Sequence, residues 1–327
     1  MPPGLTGLVG DVGGTNARFA LAHLQGGAIR LDEPVVLAAA DYGAGVDAVR
    51  AFLDRLAPGQ RPALAVIAAA GPISHGEVVF TNNTAWRFSE RELARACGLS
   101  EVRLVNDFAA QAMAIDHLGP ADLRRIGPPG APAPRATAAI LGPGTGFGAA
   151  ALVDDGRRRA VLSGEGPHAG FAPGDAVELE IVRRLMVRFG RVSVERLISG
   201  PGLLNLYQTL AEMGGEPSVC AQPDEVTRQG LAGDPLAEAA LGRFCAMLGS
   251  VAGDFALAFG ARRGVYIAGG VAPRILSFLE ASGFRARFEA KGRMSDYMKA
   301  IPTLVVTAPY AAMTGAASLL PELGAQA

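Results

Sequence analysis

Residues 8–21 read Leu-Val-Gly-Asp-Val-Gly-Gly-Thr-Asn-Ala-Arg-Phe-Ala-Leu. The apolar run Leu5–Val9 leads into Gly10-Asp11-Val12-Gly13-Gly14-Thr15-Asn16, and Ala17–Ala22 is apolar again. No helix fits between runs this close, so the stretch reads as strand, glycine turn, strand: a hairpin. Asp11 falls at a strand end, and Gly13-Gly14 allow a tight turn whose N–H groups can point at anionic oxygens. An ordinary hairpin also uses glycines for positive φ. Two features favour a phosphate-holding turn. It carries Asp11, Thr15, Asn16 and Arg18, and a similar turn recurs downstream.

That second turn is Gly142-Pro143-Gly144-Thr145-Gly146-Phe147-Gly148, set between the apolar runs Ala138–Leu141 and Ala149–Val153. Gly14-Thr15 superposes on Gly144-Thr145 at a shift of 130 residues, which points to two related halves that each supply one turn. Around the hairpins the chain alternates. Ala48–Leu56 has helical spacing, and Ala63–Ala70 is a continuous apolar strand, buried on both faces. Ser89 starts a helix, with Glu92 completing a capping box. Val102–Val105 is a strand and Phe108–Ile115 a helix. Gly127–Pro134 is a surface connection. Helices follow at Ala176–Phe189 and Leu236–Phe259, then a strand at Gly264–Ala268. Pro273 suits the first turn of the next helix. Leu304–Val306 is a last strand and Ala311–Leu320 a last helix, expected to return to the first domain. Such alternation indicates α/β layers.

Composition narrows the function classes. The 327 residues point to two domains, or to one with a deep split. Half are hydrophobic, enough for a sizeable core, and 30 basic residues nearly balance 31 acidic ones. A net charge of −1 leaves no basic footprint for nucleic acid and no polybasic membrane patch. No apolar run reaches the roughly 18 residues of a membrane span, and Met1–Gly10 lacks the basic start of a signal peptide. Cys97, Cys220 and Cys245 are odd in number and widely spaced, and read as reduced core residues of a cytoplasmic protein.

Two phosphate signatures are absent. There is no G-x-x-x-x-G-K-[ST], and Gly144-x-Gly146-x-x-Ala149 opens a strand rather than a helix, so it is not a dinucleotide fingerprint. Asn106-Asp107 follows a strand and precedes a helix. It reads either as an N-cap or as a carboxylate at a strand's carboxyl end, where open α/β sheets bind ligands. Gly164-Glu165-Gly166-Pro167-His168 puts an acid and a histidine in one tight loop: an incidental ion pair, or donors and acceptors suited to sugar hydroxyls. Four histidines without a His-x-x-x-His pattern or a cysteine partner do not make a zinc site. Glu195 reads as an exposed loop acid. Thr81-Asn82-Asn83-Thr84-Ala85-Trp86 holds the single tryptophan beside polar amides, as a carbohydrate platform or a core residue after a turn. Lys291-Gly292-Arg293-Met294 reads as a solvated basic turn.

Seven stretches together resemble the bacterial ATP-dependent glucokinases of the hexokinase–actin–Hsp70 superfamily. They are LVGDVGGTNARFAL (8–21), RLVNDFAAQAMAI (103–115), LGPGTGFGAA (141–150), SGEGPHAGFAP (163–173), ERLISGPGLLNLY (195–207), YIAGGVAPRIL (266–276) and the KGRM turn, in that family's order. The resemblance implies a two-domain actin-like ATPase (ribonuclease H-like) α/β fold. The expected division is a small domain, 1–117 plus 309–327, and a large one, 118–308, with the active site in the cleft between them. It also implies Asp107 as catalytic base, and Asn106, Asp107, Glu165, His168 and Glu195 as ligands of glucose. Gly10, Asp11, Val12, Gly13, Gly14, Thr15 and Asn16, with Gly142, Gly144, Thr145 and Gly146, are the implied ATP phosphate turns. Gly269 and Gly270 belong to the implied adenosine site, and Asp11 is expected to anchor Mg²⁺ through water. A cytoplasmic homodimer is implied as well.

Two departures stand out. The sugar loop of that family usually reads Glu-Gly-Gly-His, whereas Pro167 here fixes φ and removes an N–H next to His168. The segment before Trp86 is one residue longer than usual. The related repressor/open-reading-frame/kinase group fits less well, because the next cysteine after His168 is Cys220, not a zinc cluster. The alternatives are a kinase of the same fold for another hexose, with polyphosphate a possible donor, and a non-catalytic sugar-binding regulator.

Overall fold

The computed structural model describes residues 4–80 and 86–325. It divides into two compact units, Met1–Gly119 with Ala308–Ala327, and Pro120–Thr307. The first unit begins with strands β1 (Leu5–Val12), β2 (Asn16–Gln25), β3 (Ala28–Leu31) and β4 (Val35–Ala38) and helix α1 (Gly45–Leu53). It continues through β5 (Leu64–Ala69), β6 (Ile73–Ser74), β7 (Glu77–Val79), β8 (Arg87–Ser89), α2 (Glu90–Cys97), β9 (Glu101–Asn106) and α3 (Asp107–Ala114). Its main sheet has the order β3-β2-β1-β5-β9, with β4 also on β2.

Period-two alternation sends β1 side chains to both faces of this sheet. Leu8 and Val12 pack with Val49, Phe52 and Leu93 from α1 and α2. Val9 turns the other way, with Ala20 and Val66. The expected hairpin forms: β1 and β2 pair antiparallel with Val12 opposite Ala17 and Asp11 opposite Arg18. β5 and β9 extend the sheet in parallel, and every β5 residue is buried.

The second unit holds β10 (Leu123–Ile126), β11 (Ala138–Pro143), β12 (Phe147–Asp154) and β13 (Arg159–Ser163), then α4 (Ala176–Phe189), α5 (Gly200–Gly214), α6 (Pro223–Leu231) and α7 (Pro235–Phe259). After β14 (Gly264–Ile267) come α8 (Leu276–Ala281), α9 (Phe284–Glu289), α10 (Ser295–Lys299) and β15 (Thr303–Val306). The sheet order β13-β12-β11-β14-β15-β10 repeats the first unit's pattern through β15 and adds β10, antiparallel to β15, at its edge. In each, an antiparallel three-strand run is followed by two parallel strands. α7 is long and apolar enough to cross a membrane by length and composition, but it is mostly buried. Its Leu241, Phe244, Leu248 and Val251 lie in the core with Val265 and Ile267 of β14. The chain then returns to the first unit as α11 (Ala311–Ser318) and α12 (Leu320–Gly324), covering the β1 face that carries Val9.

Three expectations change, and the alternative left open for Trp86 resolves to the core. Ser89 precedes α2 as its cap residue, but its side chain makes no capping bond, so the capping box with Glu92 does not form. Glu90 instead reaches across to accept the Leu104 N–H at 2.8 Å. Trp86 is a core residue: it is 1% exposed, meets the Phe88 ring edge-on, and donates its indole N–H to the Tyr42 carbonyl at 3.2 Å. Residues 81–85 of the same segment lie outside the described residues. Lys291 is not solvated. Its ammonium pairs with Asp254 and donates to the Ser250 carbonyl at 2.8 Å, fastening α7 to the turn after α9. The final helix breaks at Leu319 into α11 and α12.

Candidate active site

Each hairpin turn closes with a single backbone bond. In the first, Gly13 N–H donates to the Asn16 carbonyl at 3.0 Å; in the second, Gly144 N–H donates to the Gly146 carbonyl at 2.8 Å. Thr15 and Thr145 are the exposed residues at the two tips. Backbone from elsewhere braces each turn. The Thr15 carbonyl accepts the Ala39 N–H at 2.8 Å, and the Gly144 carbonyl accepts the Gly200 N–H at 2.8 Å. Gly269, two residues after β14, lies beside the second turn with φ +78°, and a Cβ there would strike the Pro143 carbonyl, so only glycine fits. The Val271 N–H donates to that same carbonyl at 3.1 Å.

In the first unit, Asp11 ends β1 and faces Arg18 across the hairpin, with Nη1 to Oδ2 at 3.4 Å. Burial at the strand end pushes the Asp11 carboxyl above its ordinary value, and the Arg18 guanidinium pulls it partly back. Asp107 opens α3 at the carboxyl end of β9, half-buried, with Oδ1 accepting the Phe108 N–H at 2.9 Å. Register puts Asp11 opposite Ala68, and Ala68 opposite Val105, so both carboxylates flank the same end of the parallel strands. Asn106 is the N-cap of α3: its Oδ1 accepts the Phe108 and Ala109 N–H groups at 3.0 and 3.1 Å. Its Nδ2 donates to the Gly71 carbonyl at 3.3 Å.

In the second unit, Glu165 and His168 meet across a single 3-10 turn, His168 Nε2 lying 3.6 Å from Glu165 Oε2. Pro167 sits in the first turn of that 3-10 helix, whose bonds are made by His168 N–H to the Glu165 carbonyl and Ala169 N–H to the Gly166 carbonyl. The missing proline N–H therefore leaves no bond of this turn unmade. Arg191 holds the far side of the loop, donating to the His168 carbonyl at 2.8 Å. Glu195 is not an exposed acid. It is half-buried, its carboxylate accepts the Phe147 N–H at 2.9 Å, and its own N–H donates to the Pro167 carbonyl. The structure thus gathers Glu165, His168, Glu195 and the second turn in one unit, and Asp11, Asn106, Asp107 and the first turn in the other.

Sequence reasoning missed an ion cluster at the start of α4. Glu178 on α4 is fully buried, accepts two bonds from Arg287 of α9 at 2.7 and 3.0 Å, and accepts the Gly174 N–H at 2.7 Å. Arg243 of α7 pairs with Asp175 beside it. The D-x-x-E start of α4 is a capping pattern, and the Asp175 side chain does cap Glu178 N–H at 2.8 Å. Nothing local announces an arginine 109 positions away.

The family model described as Glucokinase matches residues 8–323. A glucokinase of Caulobacter sp. (strain K31) is 52% identical over 314 residues, covering 95% of this chain and 94% of that protein. Among solved structures, a glucokinase from an Antarctic psychrotroph shares 36% identity at a TM-score of 0.87, covering 97% of this chain and 99% of that one. A ROK family glucokinase from Streptomyces griseus, in complex with glucose and AMPPNP, superposes at a TM-score of 0.65 with 19% identity, over 97% of this chain and 99% of that one; it speaks to fold alone. The two sheets of matching order are those of the actin-like ATPase fold. The chain belongs to the glucokinase family.

Proposed function

We propose that the protein transfers the γ-phosphoryl group of ATP to the 6-hydroxyl of D-glucose, with Asp107 as the general base. The observation that carries this reading is one hairpin turn recurring at the same place in two sheets of the same order, with Asp107 at the carboxyl end of a parallel strand beside the first. The turns of Gly10–Asn16 and Gly142–Gly146 hold the phosphates with backbone N–H groups, and Gly269-Gly270 border the adenosine. Asn106, Glu165, His168 and Glu195 hold the sugar hydroxyls. The Asn106 acceptor already caps α3, so its part is to donate through the amide. Asp107 takes the proton of the 6-hydroxyl as that oxygen bonds to the γ-phosphorus and the bond to the β,γ-bridging oxygen breaks, releasing ADP. Phosphoryl transfer of this kind depends on positioning and charge neutralisation more than on covalent chemistry.

Mg²⁺ fits a particular donor set. Among the described residues no group of three or more His, Cys, Asp or Glu side chains makes a metal cage. Mg²⁺ characteristically binds through one or two carboxylates, waters and substrate phosphates. Asp11, a hard oxygen donor at the end of β1 beside the first turn, is the residue that would hold it through water. When bound, the ion neutralises charge on the phosphates. The three cysteines are all buried and free, which suits a reducing cytoplasm, and we extend the reading to a homodimer on the family resemblance.

The test is Asp107→Asn, assayed by ADP release with Mg²⁺-ATP and glucose beside mannose, fructose, glucosamine and N-acetylglucosamine. Asparagine retains the Oδ1 that accepts Phe108 N–H, so the fold and glucose binding are kept, while kcat falls by about 10²–10⁴. Near-wild-type kcat would remove Asp107 from the role. Turnover favouring another sugar would move the substrate assignment and leave the phosphate turns in place.

A further inference from the structure

We propose that Glu195 serves two ligands: besides holding sugar, its carboxylate positions the second phosphate turn for nucleotide. The inference rests on the reading of Gly142–Gly146 as a phosphate turn and of Glu195 as a sugar ligand, and adds to it a physical link between the two.

The link runs through both the main chain and the side chain of one residue. Along the main chain, Glu195 N–H donates to the Pro167 carbonyl at 3.1 Å and Val194 N–H to the Ala169 carbonyl at 3.0 Å. This stitches residues 194–195 to the loop that carries Glu165 and His168. The side chain leaves that loop and ends on the turn. Oε2 accepts the Phe147 N–H at 2.9 Å, at the residue where the turn becomes β12. An ideal Cβ on Gly146 would lie 2.7 Å from the same oxygen, so the carboxylate fills the room that this glycine leaves.

The other side of the turn is held from the same segment. Ser199 Oγ donates to the Glu195 carbonyl at 2.8 Å and accepts the Gly202 N–H at 3.0 Å, capping α5. With α5 so fixed, Gly200 N–H reaches the Gly144 carbonyl at 2.8 Å. Residues 195–200 therefore grip the turn at its entry and its exit, and at the exit the grip is a charged acceptor on a backbone N–H, the stronger class of hydrogen bond. The side-chain Oε1 remains for a sugar hydroxyl. Because one carboxylate answers to both ligands, a change made at the turn is felt by the sugar, and a change at Glu195 is felt by the nucleotide. Binding free energies at linked sites are reciprocal in this way.

The experiment titrates Mg²⁺-ADP and Mg²⁺-AMPPNP into the full-length protein without sugar, and measures glucose KM and kcat separately. Wild-type protein is titrated first: no nucleotide binding there removes the phosphate-turn reading itself, and this inference with it. With wild-type binding in hand, Glu195→Ala is expected to weaken nucleotide affinity about tenfold even though no sugar is present. Glu195→Gln keeps an oxygen for the Phe147 N–H and drops the charge, so it restores part of the nucleotide affinity that Glu195→Ala loses while leaving glucose KM raised. Gly146→Ala keeps the carboxylate but pushes it off the turn, and is expected to raise glucose KM from within the phosphate turn. Unchanged nucleotide affinity in Glu195→Ala, or unchanged glucose KM in Gly146→Ala, would make Glu195 a sugar ligand only and overturn the proposal. Equal loss of nucleotide affinity in the Gln and Ala variants would overturn it too.

Discussion

Asp11 and Arg18 show how a cross-strand register sets the chemistry of a single group. They are directly opposed in the β1–β2 hairpin, the guanidinium 3.4 Å from the carboxylate, at a strand end where burial works against ionisation. Burial raises the carboxyl and Arg18 opposes it, so the ionised form that would hold Mg²⁺ is won at higher pH than for an ordinary aspartate. In the profile of kcat/KM for Mg²⁺-ATP, the acid limb is expected above the usual carboxylate range. Arg18→Met removes the attraction and keeps the apolar stem, so the limb should move to still higher pH. A limb that stays put, or moves down, would show that Arg18 does not tune Asp11. Residue identity was legible here, since both lie within residues 8–21, but their pairing followed only from the hairpin register. For Asn106 the two readings of the sequence were not exclusive: the residue is an N-cap that presents Asp107 as the next residue of the chain.

At the scale of elements, what sequence reading found was local. The hairpins, the all-buried β5 and the helices α4 and α7 follow from periodicity and from turns a few residues long. The capping box at Ser89 failed because propensity is a weak prior. The Glu90 carboxylate has a long-range bond to the Leu104 N–H, and Ser89 itself ends strand β8. The seating of α3 was equally invisible. Its Ala110 packs with Ala68 and with Ala312 of α11, and the two helices approach so closely that a Cβ on Gly315 would run into the Ala110 carbonyl. Since α3 carries Asp107 at its first position, this contact sets where the proposed base stands. Gly315→Ala overpacks the crossing and is expected to destabilise the protein by about 1–3 kcal/mol. Its kcat should fall, and glucose KM should change less, because three of the proposed sugar ligands, Glu165, His168 and Glu195, lie in the second unit. Denaturant unfolding beside steady-state kinetics checks both, and full stability with unchanged kcat would mean that α3 has room to shift.

Across the whole molecule, the chain repeats one sheet order in two units and then sends its last helices back to the first. The repeat was visible as Gly14-Thr15 against Gly144-Thr145, because each turn needs the same small residues wherever it occurs. The ion cluster of Glu178, Arg287, Asp175 and Arg243 was not, because a buried charge finds its partner through packing rather than spacing. The return of the C-terminal segment has a consequence for stability. Met313, Leu320 and Leu323 are fully buried in one cluster with Val9, Ala20 and Val66, beside Met113 of α3. Burying a large apolar side chain contributes about 1.5–3 kcal/mol, so the three together supply on the order of 6 kcal/mol. A domain's net stability is only about 5–15 kcal/mol. Ending the chain at Thr307 should therefore leave the first unit without a stable fold, while the second, whose core is built on its own α7, persists. Limited proteolysis with mass spectrometry reads this directly: peptides from residues 4–119 should vanish early, and fragments spanning residues 120–307 should last. Equal protection of both regions in the shortened protein would show that the β1–β5–β9 sheet is stable without its C-terminal cover.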